Sequence, residues 1–240
     1  MKIVGIANNS FIDYPGKIAM VLFTYGCNMN CYYCHNRDII GKVPPKVVYT
    51  PEYIFQEIDK KKDFLEGIVI SGGEPTLNTD LPIFIKKIKE KNMLVKLDTN
   101  GTNPKMLQDL INDKLIDFIA MDIKAPKGKY SNMAGWNEAN GKELLKSVEK
   151  SISIIKKSGL PCEFRTTFAP TLQKEDIVSI SKWLKIDKIE IQKYVIQQYR
   201  PPQTKLIDTR LSIPPHSKEY LEQTLEEVKE VIPNSSLRGI

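Results

Sequence analysis

The chain has 240 residues, 41% hydrophobic and 27% charged, with a formal net charge of +6. That is the balance of a globular domain, and it excludes a disordered, collagenous or fibrous chain. No apolar run approaches the ~18 residues that span a bilayer. The opening MKIVGIANNSFIDYPG has no apolar core ahead of a small-residue cleavage site, so a cytoplasmic location without membrane contact is expected. The positive charge lies on lysine-rich segments, which gives a weak bias toward acidic partners; nucleic acid is not expected among them.

In chain order, short apolar runs alternate with longer amphipathic segments, the pattern of repeated β–α units. KIAMVLFTY (17–25) predicts a first buried strand leading into a cysteine loop. Thr50 and Pro51 suit the N-cap and first residue of a helix over PEYIFQEIDKKKDF. GIVIS (67–71) and DLPIFIKKIKEKN form the second strand and its helix, MLVKLDT (93–99) and PKMLQDLINDK the third pair. DFIAMDI (117–123) is the fourth strand, followed by the helix GKELLKSVEKSISIIKKSG, which stops at Gly159 as C-cap. CEFRTTF (162–168) with KEDIVSISKWLK is the fifth pair, KIEIQKY (188–194) the sixth strand, and SKEYLEQTLEEVKEV (217–231) a closing helix. The segments 124–140 and 197–216 read as loops, rich in Pro, Gly, Asn and Ser without periodicity. The expected architecture is a single α/β domain over 1–240, a partial (β/α)6 TIM-like barrel whose missing units leave lateral access for a large substrate.

In β/α barrels the chemistry sits at the C-terminal ends of the strands, and here each predicted strand carries polar groups to that end. The first ends in Cys27, Cys31 and Cys34, the second in Gly72, Gly73 and Glu74, the third in Asp98, Thr99 and Asn100. The fourth ends in Asp122 and Lys124, the fifth carries Arg165, and the sixth Gln192. A Gly-Gly pair allows close backbone approach to a ligand or cluster. Glu74 could accept from an amino group, Lys124 and Arg165 could bind a carboxylate, and Asp98 could take a ribose hydroxyl. Amino group, carboxylate and ribose together describe S-adenosylmethionine.

YGCNMNCYYCHN (25–36) by itself admits three cofactors. Cys31-Tyr-Tyr-Cys34-His35 spells a c-type haem attachment pattern, Cys27, Cys31, Cys34 and His35 could close a zinc site, and the three cysteines could hold an iron–sulfur cluster. Haem attachment belongs outside the cytoplasm, and adjacent Cys34 and His35 are poorly placed to meet on one tetrahedral ion. Cys162, alone at a strand start, is expected as a small buried hydrophobe.

The motif Cys-x-x-x-Cys-x-aromatic-Cys, with Tyr33 as the aromatic, followed by Gly-Gly-Glu-Pro, resembles the radical S-adenosylmethionine superfamily. DYPGKIAMVLFTYGCNMNCYYCHN is similar to the opening of glycyl-radical-enzyme activating proteins. SGGEPTL, LDTNG, MDIKAP and QQYRP are similar to the branch that activates anaerobic ribonucleoside-triphosphate reductase. The resemblance runs in order from about Phe11 to Pro201, leaving 202–240 as a C-terminal loop and helix.

It implies that Cys27, Cys31 and Cys34 ligate three irons of one [4Fe–4S] cluster whose fourth iron takes the amino and carboxylate groups of S-adenosylmethionine. One electron then yields methionine and a 5′-deoxyadenosyl radical. Gly72, Gly73 and Glu74 would hold the methionine moiety with Asp122, Lys124 and Arg165, while Asp98, Thr99 and Asn100 would lie near the ribose. Tyr33 and Ile191 would contact the adenine, and His35 would be a bystander. No acid–base residue is needed, since the cofactor carries the hard chemistry. The implied partners are a glycyl radical enzyme, such as anaerobic ribonucleotide reductase, and flavodoxin or ferredoxin as electron donor. Residues 35–66 contain no cysteine, so no auxiliary cluster is expected, unlike in many such activators. Two other functions compete: a radical enzyme acting on a small molecule or nucleobase, like 7-carboxy-7-deazaguanine synthase, and a zinc-binding interaction module.

Overall fold

The computed structural model describes residues 1–41, 45–187, 189–201 and 213–240. The chain divides into two compact units: Met1–Asn28 with Asn36–Ala120, and Met29–His35 with Met121–Ile240. No helix among the described residues is long and apolar enough to cross a membrane.

The first unit begins with β1 (Ile3–Ser10), antiparallel to β2 (Ala19–Thr24). After the cysteine loop come α1 (Arg37–Ile40), α2 (Pro51–Lys61), β3 (Gly67–Gly72), α3 (Leu81–Lys89), β4 (Leu94–Thr99) and α4 (Pro104–Asn112). The unit boundary falls inside β5 (Phe118–Asp122). β2, β3 and β4 pair in parallel. Their Met20, Leu22, Ile68, Val69, Ile70, Val95 and Leu97 are almost fully enclosed, as parallel strands covered on both faces require. Helix α2 starts where its sequence says it should: the Thr50 hydroxyl accepts from Tyr53 N at 3.3 Å, and Pro51 follows. Helix α3 buries Leu81, Phe84, Ile85 and Ile88, the i, i+3, i+4, i+7 stripe of an amphipathic helix. The β2–β3 register pairs Thr24 with Gly72, which sets the root of the cysteine loop beside the Gly-Gly pair.

The second unit contains α5 (Tyr130–Ala134), α6 (Gly141–Ser158), β6 (Cys162–Phe168), α7 (Lys174–Leu184), β7 (Tyr194–Gln198), α8 (Lys218–Val231) and β8 (Ser235–Arg238). β6, β7 and β8 pair in parallel. Helix α6 stops at Gly159 with φ of 71°, the left-handed C-cap its sequence announces. Helices and parallel strands alternate in both units, and the fold is α/β.

Four sequence expectations differ from the structure. The sixth strand is not 188–194 but Tyr194–Gln198. The alternation in IEIQ mimics a strand, but the enclosed run Tyr194-Val195-Ile196 is what pairs with β6, while Lys188 lies outside the described residues. Strand β1 has no clear sequence signal because IVGIANNS breaks its apolar pattern with Gly and two Asn, and β8 has none because SSLR is too short and polar. The 124–140 segment holds α5 and short 3-10 turns at Lys127–Lys129 and Glu138–Asn140 rather than loop alone. Of the 197–216 loop, residues 202–212 lie outside the described residues.

Candidate active site

The first unit builds its part of the site from main chain and neutral donors. At the end of β3, Gly73 N donates to Thr24 O and Glu74 N donates to Gly26 O, each at 2.9 Å. This approach has no room for side chains. A Cβ on Gly72, where φ is 111°, would lie 2.3 Å from Thr24 N, and one on Gly73 would lie 1.9 Å from Gly26 O. The Gly-Gly pair thus clamps the backbone just ahead of Cys27, a closer reason for the glycines than approach to a ligand. Asn36 Nδ2 donates to Gly72 O at 2.8 Å, and Gly26 N donates to Ile39 O at 2.9 Å, closing the far side of the loop.

Glu74 is fully enclosed. Oε1 accepts from Thr76 N at 3.1 Å, from the Thr76 hydroxyl at 2.5 Å and from the Thr99 hydroxyl at 2.8 Å, while Oε2 accepts from Asn100 N at 2.6 Å. Burial holds its carboxyl above the ordinary value despite these donors. Glu74 is expected to accept from a ligand amino group; in the structure its enclosed carboxylate also ties the end of β3 to the end of β4. Thr99 acts through the same carboxylate, and its hydroxyl also accepts from Gly101 N at 3.1 Å. Asp98 accepts from the Ser71 hydroxyl at 2.9 Å and pairs with the enclosed Lys96 ammonium. Asn100, expected near a ribose, directs its amide at Cys27, with Nδ2 3.8 Å from Sγ.

The second unit builds with charge. Asp122, the last residue of β5, accepts from Arg165 Nε at 2.8 Å and from Lys124 Nζ at 3.1 Å. Ile123 N donates to Arg165 O at 2.7 Å and the Thr166 hydroxyl to Ile123 O at 2.9 Å, so β5 and β6 fix the triad through their backbones. Burial alone would raise the Asp122 carboxyl, but Arg165 and Lys124 outweigh it and hold it well below the usual carboxylate range. For Lys124, burial is outweighed by Asp122 and then Cys31, which keeps the ammonium protonated. Burial pushes the Cys31 thiol up, and Lys124 pulls it back down. Behind the triad, the enclosed Glu163 forms a fork with Arg238, at 3.0 and 2.8 Å, and lies 3.9 Å from Arg165.

The second and third cysteines sit in a tight turn, with Cys34 N donating to Cys31 O at 3.2 Å. Tyr33 is buried beside it, its hydroxyl donating to Lys124 O at 3.4 Å and its ring edge-on to Tyr32 at 5.1 Å. His35 Nε2 lies 2.8 Å from Arg200 O, and its ring stacks on Tyr199, so it tethers the turn to the segment after β7. Ile191 is buried ahead of β7, and Gln192 accepts from Cys162 N and donates to Leu160 O, both at 3.0 Å. Both therefore lie at the N-terminal end of β6 and β7; the structure does not bring Ile191 to the strand ends that carry Asp122, nor Gln192 to the polar set. Cys162 is buried as expected, at 5% exposure.

Among the described residues no three His, Cys, Asp or Glu side chains are grouped to hold one metal ion, so a cluster assignment rests on the cysteine spacing and on what faces Cys27 and Cys31. An amide N–H faces Cys27, a donor that suits a thiolate, and the half-buried Lys124 ammonium partly offsets the burial that raises the Cys31 thiol. Asn28, Thr102, Lys96, Glu163 and Arg238 were not singled out from sequence. A charge inside an apolar strand marks Lys96 and Glu163, whereas nothing in the polar tail marks Arg238.

Comparison with known proteins adds the following. A family model described as the Radical SAM superfamily matches residues 21–184. A Methanocaldococcus jannaschii protein named for glycyl-radical enzyme activation is 44% identical over 199 residues, covering 82% of this chain and 79% of that one. The pyruvate formate-lyase-activating enzyme of Streptococcus mutans is 30% identical over 216 residues, covering 82% and 78%. Among solved structures, Streptococcus suis SuiB bound to its precursor peptide superposes with a TM-score of 0.66 at 15% identity. The superposition covers 91% of this chain, which spans only 48% of that protein's length, so the likeness speaks to fold alone.

Proposed function

The chain belongs to the Radical SAM superfamily, an enzyme family that uses a [4Fe–4S] cluster and S-adenosylmethionine, and from that premise we propose that it is a glycyl-radical-enzyme activase. Its partner is a glycyl radical enzyme, with anaerobic ribonucleotide reductase as the first candidate. The 44% identity over most of both chains to a protein named for this activity is the observation that carries the reading.

Cys27, Cys31 and Cys34 would hold the cluster, one thiolate to an iron, leaving one iron for the substrate's amino and carboxylate groups. When bound, the two cofactors supply one-electron cleavage of the sulfonium, giving methionine and a deoxyadenosyl radical that takes a hydrogen atom from a partner glycine. The chain's own residues bind and orient. Arg165 and Lys124 converge on Asp122, and this pair of cations would bind the ligand carboxylate. The Gly72–Gly73 clamp and the Glu74 hydrogen bonds keep the Cys27 loop in place. Tyr33 covers the cysteine turn and Asp98 stands at the ribose end. The net charge of +6 suits an acidic electron donor such as flavodoxin or ferredoxin, and we place the protein in the cytoplasm.

The test combines the anaerobically purified, reduced protein with S-adenosylmethionine and the candidate reductase. A glycyl signal by electron paramagnetic resonance, with methionine formed, is expected. Methionine without any protein radical would point instead to a small-molecule or nucleobase substrate, and zinc in place of iron and sulfide would overturn the reading. Cys31→Ala should abolish the cluster spectrum and Cys162→Ala should leave it intact.

A further inference from the structure

The orientation of the Asn100 side chain is fixed by its neighbours. Its Oδ1 accepts from Thr102 N at 3.0 Å and from the Thr102 hydroxyl at 2.7 Å. The NH2 end must therefore face the other way, where Nδ2 donates to Asn28 Oδ1 at 3.0 Å and to Cys27 Sγ at 3.8 Å. The Thr102 hydroxyl in turn accepts from Asn28 Nδ2 at 2.9 Å. These donors and acceptors close a ring of three side chains, and flipping either amide would set donor against donor or oxygen against oxygen. Asn100 is only 5% exposed, so water competes little for its amide, and its backbone N–H is anchored on the enclosed Glu74.

A hydrogen bond to a ligating sulfur is one of the levers that set an iron–sulfur potential. We propose that Asn100 is a positioning residue that tunes the cluster, its amide donating to the Cys27 thiolate and so favouring the reduced, more negatively charged state. The proposal rests on the cluster reading given above. It gives LDTNG a role beyond ribose contact: the Asn of this loop and the Asn that follows Cys27 are joined through Thr102 to hold one N–H on one sulfur.

The test is a redox titration of the cluster-loaded protein, followed by electron paramagnetic resonance, in the wild type, Asn100→Ala and Asn100→Asp. Removing the donor makes reduction harder. In Asn100→Ala the reduced-to-oxidised ratio at a fixed potential should fall about tenfold, which for one electron is about 59 mV more negative. Asn100→Asp, which adds a carboxylate of similar shape, should move at least as far in the same direction. As a second measurement, electron–nuclear double resonance of the reduced wild-type cluster before and after transfer to D2O should show an exchangeable proton coupling that is absent in either variant. Full iron and sulfide with an unmoved midpoint in the variants would overturn the proposal. So would loss of the cluster from both variants, with the fold intact and no such coupling in the wild type, because Asn100 would then be structural only. A wild type that binds no iron and sulfide defeats the cluster reading itself, and the proposal falls with it.

Discussion

The two units treat a strand-end carboxylate in opposite ways. Glu74 is surrounded by hydroxyl and backbone donors with no cation on it among the described residues, and its carboxyl sits above the ordinary value. Asp122 lies between Arg165 and Lys124, and its carboxyl sits well below. The first arrangement is a mechanical joint: neutral donors satisfy the carboxylate and lock two strand ends. The second is an electrostatic cluster: two cations converge on Asp122, and Glu163 lies 3.9 Å from Arg165. A carboxylate at a strand end is thus no guide to its role until its partners are known.

The largest effect expected from breaking this contrast lies at the joint. Gly73→Ala places a methyl 1.9 Å from Gly26 O, so the backbone ahead of Cys27 must move; reconstituted protein should bind almost no iron and sulfide. Next is Glu74→Ala, which strands several enclosed donors at ~1–3 kcal/mol each. Urea denaturation should show a loss of at least ~3 kcal/mol, insensitive to salt.

Asp122→Asn should cost less, about 1–2 kcal/mol, because the Asp122 side chain is 31% exposed and solvent screens the pairs. The loss should shrink at high salt, and binding of S-adenosylmethionine, read by calorimetry, should change more than stability does. The two carboxylates also carry opposite pH signs. Asp122, depressed in the folded state, contributes stability above the ordinary carboxylate pKa and loses it as pH falls. Glu74, raised in the folded state, contributes stability below the ordinary carboxylate pKa and loses it as pH rises through its folded value. Asp122→Asn should therefore flatten the acid limb of a stability–pH curve, and Glu74→Gln should steepen it.

Arg238→Ala should be milder still, ~1 kcal/mol, since the Arg238 side chain is 34% exposed and Arg165 still faces the enclosed Glu163 at 3.9 Å. The smallest effect concerns Cys162, whose thiol burial pushes up to about 11. Because the thiolate is the nucleophile, its alkylation at pH 8 should be negligible. The rate should rise about tenfold per pH unit until about pH 11.

Much of this was legible in sequence where the signal is local. The apolar runs at β2 to β6, the Thr50 cap and the Gly159 stop each depend on residues close in the chain, so periodicity and cap chemistry found them. The cysteine spacing and the Gly-Gly-Glu run identified the family for the same reason. Side-chain partnership was not legible. GGE reads as a ligand cradle with no sign that Thr76, Thr99 and Asn100 close on Glu74, and IEIQ reads as a strand until Gln192 is found bonded at the start of β6.

The amino-acid sequence by itself determined the α/β rhythm, the thiolate set and which strand ends bear polar groups, because those follow from spacing along one chain. Only the tertiary structure decided that the glycines clamp backbone, that Glu74 is enclosed while Asp122 is shared by cations, and that Asn100 points at Cys27. Each of those depends on atoms brought together from distant segments, whose donors, acceptors and charges become defined only once water is excluded around them.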